Sequence, residues 1–330
     1  MSNNTKIEQD NTTSIQINSL VLTKIIKHAA DNLPDLVSGK LLGFDLDENI
    51  LEVSDCFPTP ELDDDLTNKE YEAEMLRNLQ DVNVDHNLVG WYQTTYMGSF
   101  LSSDVIEQQF SLQVNRPDCI CIVYDPVKSS QGALSIKAYR LSKAFMTLRR
   151  ESNTFTATAL ASSGIKDILE ELDVHVHNPL LIQAMLAEMA TSAAFNPAPT
   201  LDIPQTSFLE KNVEFLIDLS SDLITDHYKT HTVERKRLQQ QAMQKKWMAQ
   251  RKAENAQRRK RGQRQLPSRG NPDKDHLWKP IAEPNKLPTL IISKQMEQYC
   301  EGIKEFSGTS FGKLLLLDGL QTSTVDQSEK

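Results

Sequence analysis

Residues 90–105, GWYQTTYMGSFLSSDV, have the layout of a place where a divalent metal could be held: an apolar strand ending in polar side chains, a Gly-Ser turn, then a segment able to start a helix. A zinc ion at such a strand end needs imidazole, thiolate or carboxylate donors. The side chains on offer are Gln93, Thr94 and Thr95. Other candidate donors are scattered. His175 and His177 in DVHVHNP would share one face of a strand, yet no acidic or Cys partner is positioned by sequence, and a surface or packing role is the simpler reading. His227 and His231 stand four apart, as in HExxH, but the intervening YKT lacks the Glu, so they read as a solvated helix face. Cys56, Cys119, Cys121 and Cys300 make no CxxC pair and no zinc spacing, and read as reduced core cysteines. There is no Gly-rich phosphate loop and no GxSxG.

Composition and periodicity give the framework that carries these residues. The 330 residues suggest two or so structural units, and 39% hydrophobic with 25% charged residues is ordinary for a chain with a sizeable core. No run approaches the roughly 18 consecutive apolar residues of a membrane span. MSNNTKIEQDNTT lacks the basic-then-apolar order of a signal peptide, so residues 1–12 read as a short disordered tail and a cytoplasmic location is expected. Residues 13–142 alternate strand-like and helix-like patterns. SIQIN, LVSGKLLGFDL, ILEVSDCF, NLVGWYQT, DCICIVYDP and SIKAYRLS read as strands, the second and third as a hairpin through DEN. LVLTKIIKHAADNL, NKEYEAEMLRNLQDV and SDVIEQQFSLQV read as helices. The fold class expected is α/β, a mixed sheet flanked by helices, followed by an α-helical C-terminal region.

Beyond residue 142 the strand signals fade. Residues 143–200 read as a helical extension, with helices over SGIKDILEELDV and NPLLIQAMLAEMATSAAF. Residues 201–265 read as a long helical region opened by a capping box at Ser207–Glu210, with Leu209, Val213, Leu216, Leu223 and Ile224 on one side. Five prolines mark 266–288 as a flexible linker. In 289–320, Ile292, Met296, Tyr299, Ile303 and Phe306 follow at spacings of 4, 3, 4 and 3, a coiled-coil type of seam on a helix too short to be stable alone. It either packs back on its own chain or enters a bundle made with partners; the pattern leaves both open. Leu314–Leu317 extends the apolar surface, and 321–330 reads as a tail.

The segment at 88–110 resembles the signature region of the MPN domain family, whose active members are zinc isopeptidases. In that family two His and an Asp hold the metal, and a Glu on an earlier strand takes the proton of the attacking water. Laid on this chain, the His positions fall at Gln93 and Thr95, the family serine at Ser102, the Asp at Val105 and the Glu at Leu36. Asp104 and Asp35 lie one residue away, on the wrong side of a helix and of a strand respectively. The resemblance with these replacements implies no metal, no other cofactor and no catalysis, with Ser102 capping a helix. Together GWYQTTYMGSF, IVYDPVKSSQGALSIKAYRLS, FLEKNVEFLID and QMEQYCEGIKEFSGTSFGKL resemble the H-subunit family of eukaryotic translation initiation factor three. That resemblance implies a scaffold among PCI and MPN subunits on the small ribosomal subunit. It implies MPN pairing with the F subunit, and C-terminal helices in a shared bundle, which tips the seam toward intermolecular docking. A silent MPN subunit of the proteasome lid or signalosome, and an active isopeptidase with a displaced site, are the alternatives. LEKNV and YCEGIKEF weigh against the former.

Charge is segregated. Residues 229–264 carry thirteen Lys and Arg against Glu234 and Glu254, in a chain whose net charge is −9. Two readings stand. One is RNA phosphate contact by Lys245, Lys246, Arg251, Lys252, Arg258, Arg259, Lys260 and Arg261, with Trp247 available for base stacking. The other is a solvated helical arm that needs no ligand.

Overall fold

A strand shorter than six residues gains little from its own neighbours, and β1 (Ser14–Asn18) is held because it pairs on both sides at once. It lies parallel to β3 (Ile50–Pro58) and parallel to β7 (Leu169–His177). The computed structural model describes residues 14–47, 50–60, 65–82, 85–130, 134–151, 155–157, 159–160, 164–165, 167–191, 206–262, 264, 267, 278–279 and 281–328. Between these strands run α1 (Ser19–Asp31), β2 (Ser38–Asp47), α2 (Asp65–Asp81), β4 (Leu88–Thr94), α3 (Ser103–Asn115), β5 (Ile120–Tyr124), α4 (Pro126–Ser129), β6 (Ile136–Leu141) and α5 (Lys143–Glu151). After β7 come α6 (Leu180–Thr191), α7 (Thr206–Lys260) and α8 (Leu287–Ser328). The strands close a barrel in the order β1-β3-β2-β4-β5-β6-β7.

Side chains alternate across this sheet, which gives it two apolar faces. Tyr92, Ile120, Ile122 and Ala138 join Val21, Ile25 and Ala29 of α1 in one core. Trp91, Cys121, Val123 and Tyr139 join Ile106 of α3, Phe145 of α5, Phe155, and Leu287 and Ile291 of α8 in the other. Two glutamines bind α3 to the second face. Gln109 is buried; its Oε1 accepts from the Trp91 indole at 2.7 Å and its Nε2 donates to the Cys119 carbonyl at 2.8 Å. Gln113, one turn on, donates to the Leu141 carbonyl at 3.0 Å and accepts from the Leu141 amide at 3.1 Å.

The C-terminal region is a helical hairpin. Phe208 stacks on Phe306 with centroids 5.2 Å apart, and Phe215 on Tyr299 at 5.6 Å. Asp226 accepts from the Thr289 hydroxyl, and Lys286 Nζ donates to Thr230 Oγ1 at 2.7 Å. Arg237 pairs with Glu283 at 3.0 Å, Gln240 donates to the Lys279 carbonyl at 2.7 Å, and Trp247 meets Trp278 edge to face. As the α7 partner number rises, the other falls: the chain runs antiparallel along α7 over about eleven turns, from Phe208 to Trp247.

Four expectations are corrected. The helix expected within SGIKDILEELDV gives way to β7 over Leu169–His177. Leu169 and Leu172 are buried three apart, a helix-like spacing, but the strand satisfies the backbone edges of both β6 and β1, and that outweighs local propensity. The sheet therefore does not end at 142, and 143–200 is not a purely helical extension. The linker is not a free tether in its described part. Prolines bar a helix there, yet 281–286 is held against α7 and the barrel, with the Lys286 amide donating to the Phe155 carbonyl at 2.8 Å. The helix begins at Leu287, with Pro288 in the first turn, and continues to Ser328 through the expected tail. Finally, Cys300 is exposed, whereas Cys56, Cys119 and Cys121 are buried, and burial pushes the thiols of Cys56 and Cys119 up to about 12. The Ser207 position lies inside α7, one residue past its start, and the N-terminal tail lies outside the described residues.

Replacing Gln109 by Ala strands the Trp91 indole N–H and the Cys119 carbonyl in the core. We expect a loss of about 2–4 kcal/mol, read as a lower urea midpoint at an unchanged slope.

Candidate functional site

β4 ends at Thr94, whose hydroxyl accepts from the Val37 amide at 2.7 Å and whose amide donates to the Val37 carbonyl at 2.8 Å. This pins the entry to β2 beside the strand end. Ser38 faces Gln93 across the ladder, and Gln93 faces Val123 on the other side. Trp91, Gln93 and Thr95 share the face that carries α3. The chain then turns through Met97 at φ 55° and Gly98 at φ 82°, both left-handed, a conformation costly for the non-glycine residue and held here with Met97 buried.

The five positions marked by the sequence fall as follows. Leu36 precedes β2 instead of lying on it and is half exposed. Gln93 is half-buried, with its Nε2 buried and unpartnered among the described residues. Thr95 is 2% exposed; its amide donates to the Tyr124 carbonyl at 2.9 Å, while its Oγ1 is buried without a partner among them. Ser102 is the N-cap of α3 and accepts from the Val105 amide at 3.2 Å. Val105 packs against the second core. Amide, hydroxyl and hydrocarbon groups do not make the donor set of a zinc centre, which is held by roughly 10–16 kcal/mol when its ligands are complete. Among the described residues no three His, Cys, Asp or Glu side chains come together as a metal site.

What the sequence did not mark is Asp125. Its Oδ1 caps α4, accepting from the amides of Val127 at 3.0 Å and Lys128 at 3.1 Å. Its Oδ2 is buried and outside hydrogen-bond geometry with any described group. Burial raises its carboxyl pKa above the ordinary value, against the opposing pull of the Lys128, Val127 and Gly98 amides and the Lys128 charge. Asp-Pro at 125–126 is a helix-start signal that a reading focused on metal donors passes over.

α8 lies across this strand end. Gln298 donates to the Tyr139 hydroxyl at 3.5 Å, Gln295 to Ser99 at 3.2 Å, Lys128 pairs with Glu305 at 3.0 Å and Lys137 with Glu301 at 3.6 Å. Lys211 of α7 donates to the Tyr96 hydroxyl at 2.8 Å. Beneath α8 remains a cavity of about 50 Å³ touched by Thr95, Asp125, Lys137, Tyr139, Gln298 and Glu301. The unpartnered atoms Thr95 Oγ1, Asp125 Oδ2 and Gln298 Oε1 belong to its walls, which gives room and partners for about one water or two. A cleft of about 310 Å³ adjoins it, bounded by Lys128, Ile136, Phe208, Glu305 and Phe306.

The helical candidates divide. Tyr299 is buried against Phe215 and Phe306 stacks on Phe208, both of this chain's own α7, while Ile292, Met296 and Ile303 are half-buried. The part of the seam at Tyr299 and Phe306 thus packs back on its own chain. On α7 the residues against α8 are Phe208, Asn212 and Phe215, a quarter-turn from the expected stripe. Leu209, Leu216 and Leu223 flank it half-buried, and Val213 is exposed. In the basic arm, Trp247 packs on Trp278 with Arg251 5.0 Å over its ring, and Glu254 binds Arg251 at 3.3 Å and Arg258 at 3.1 Å. Trp247 is therefore not free to stack on a base. Lys245, Lys246, Lys252, Arg259, Lys260 and Arg261 are exposed.

A closed seven-strand barrel with this strand–turn–helix, followed by a long helical hairpin, defines an MPN-type protein with a C-terminal helical region. Comparison with known proteins agrees. The family described as C-terminal region of eIF3h matches residues 129–326, and the JAB1/Mov34/MPN/PAD-1 ubiquitin protease family matches residues 10–118. The H subunit of eukaryotic translation initiation factor 3 from Arabidopsis thaliana is 38% identical over 316 residues, covering 93% of this chain and 92% of that protein. Its Nematostella vectensis counterpart is 35% identical over 321 residues, with 93% and 94% covered, and that of Dictyostelium discoideum 38% over 321, again with 93% and 94%. The chain belongs to the H-subunit family of eukaryotic translation initiation factor 3 and is a translation initiation factor subunit.

Two variants test the local geometry. A carboxyl whose pKa is raised by folding contributes stability that is present below its unfolded pKa and lost as pH rises through the folded one. Asp125→Asn keeps an oxygen for the α4 cap and removes that loss. Denaturation across a pH series should show the wild type falling relative to the variant as pH climbs through and above the carboxylate range. Ser102→Ala should cost about 1 kcal/mol through the lost α3 cap, with no further effect on the barrel's unfolding slope.

Proposed function

We propose that this subunit works without catalysis, as a scaffold in the initiation factor complex on the small ribosomal subunit in the cytoplasm. The observation that carries the reading is the strand end itself: Gln93, Thr95, Val105 and Leu36 replace the donors and the base, and α8 lies over the cleft where a substrate would enter. Contact is what the remaining surface offers. Val213, Ile217, Ile224 and Tyr228 form an exposed apolar stripe on α7. Phe311, Leu314, Leu315 and Leu316 do the same at the end of α8, and Leu180, Leu181 and Met185 on α6. Apolar side chains exposed in stripes on helices fit partners in a helical bundle with PCI and MPN subunits. The barrel pairs with the MPN domain of the F subunit, by analogy with the family.

Affinity capture of the full chain from cells, with mass spectrometry, should return the other initiation factor subunits including the F subunit. Replacing the exposed Phe311, Leu314, Leu315 and Leu316 by polar residues should lose the bundle subunits while the F subunit stays. Purified protein should contain well below one zinc per chain and leave ubiquitin chains intact. About one zinc per chain with chain cleavage overturns the non-catalytic reading, and recovery of proteasome or signalosome subunits instead overturns the assignment.

A further inference from the structure

The hairpin divides the basic arm into two sides. Counting about 100° per residue, Arg237, Gln240, Trp247, Arg251, Glu254 and Arg258 fall within about 100° of arc, and most of them are engaged by the returning chain or by Glu254. On the opposite side, Arg235, Lys245, Lys246, Lys252, Arg259 and Lys260 fall within about 140° of arc and along about 38 Å of axis. All six are exposed, and among the described residues none has a side-chain ion pair or hydrogen bond that reaches another residue. Ala242, Ala249, Ala253 and Ala256 separate them with short side chains. Glu234 is the one acid on this side, at its upstream end.

We infer that this outer side of α7 is a binding site for the phosphate backbone of double-helical RNA. A row of cations this long and straight matches a linear polyanion, not a small anion. Recognition of a single strand draws on aromatic stacking, and the arm's one aromatic residue, Trp247, is turned inward against Trp278. What remains is charge at regular intervals on a rigid rod, the kind of contact that follows shape and phosphate without reading bases. The contact is therefore sequence-independent and steeply salt-dependent, and it does not rest on the scaffold reading.

The test uses the purified full chain and a labelled RNA duplex of about 20 base pairs, titrated over a salt series. Lys245→Gln/Lys252→Gln/Arg259→Gln removes the central row of the outer side. Arg237→Gln/Arg251→Gln/Arg258→Gln removes the same charge from the inner side. The outer variant should lower the slope of log affinity against log salt by about 2–3 and weaken binding about tenfold or more at low salt. The inner variant should stay within about twofold of wild type, with helix content by circular dichroism confirming that both are folded. Equal losses from both variants, or no loss from either, overturn the assignment. A single strand of equal charge binding more tightly than the duplex overturns its ligand, and so does polyglutamate competing as well as unlabelled duplex.

Discussion

Closure of the barrel by β1 and β7 is the constraint on which the rest of the molecule depends. Residues 14–18 and 169–177 are far apart in sequence, and each strand alone would leave an open edge of unpaired amides and carbonyls. Joined in parallel, they remove both edges and hold the two faces of the sheet in register. The second face is completed by residues that arrive much later, because Leu287 and Ile291 of α8 share a core with Phe145 and Ile168. The helical hairpin is thus built onto the barrel and not hung from it.

The alternating elements up to residue 142 were legible because each carries its own signal: period-two burial in β1 and β3, a first-turn acid and a Ser cap in α3, a short hairpin connection between β2 and β3. β7 was not. Its two buried leucines are spaced as on a helix, and only the vacant edges of β6 and β1, which no local window contains, make it a strand. The seam of α8 was legible as a periodicity, but a periodicity does not name its partner. Phe208 and Phe215, which cover it, lie seven apart beside a more conspicuous Leu and Val stripe that points elsewhere. The prolines of the linker were read as freedom. They forbid helix, which differs from forbidding contact, and the segment lies on α7 through its side chains and the Lys279 carbonyl.

At the strand end the polar and apolar side chains are taken up by the fold itself. Ser102 serves a helix cap, Val105 faces a core, and the turn after Thr95 is pinned from outside by Lys211 and Gln295. Asp125, Thr95 and Gln298 keep polar atoms turned to a cavity too small for a polypeptide substrate. The side chains at these positions were visible residue by residue. The cover was not, since it comes from a helix nearly two hundred residues away.

The hairpin also sets which side of α7 is left for the two proposed contacts. With Phe208, Phe215, Arg237 and Trp247 on its inner side, α7 leaves a continuous outer side along its length. By the same count of about 100° per residue, Val213, Ile217, Ile224 and Tyr228 share the arc that later holds Arg235, Lys245, Lys246 and Lys260. The apolar part comes first, the cationic part follows, and they occupy different stretches of axis. An apolar helix laid on the first part leaves the second accessible to a polyanion, so both contacts can be made by one chain at the same time. The returning chain lies along the inner side of α7 from Phe208 to Trp247 and so backs the whole apolar part and the start of the cationic one.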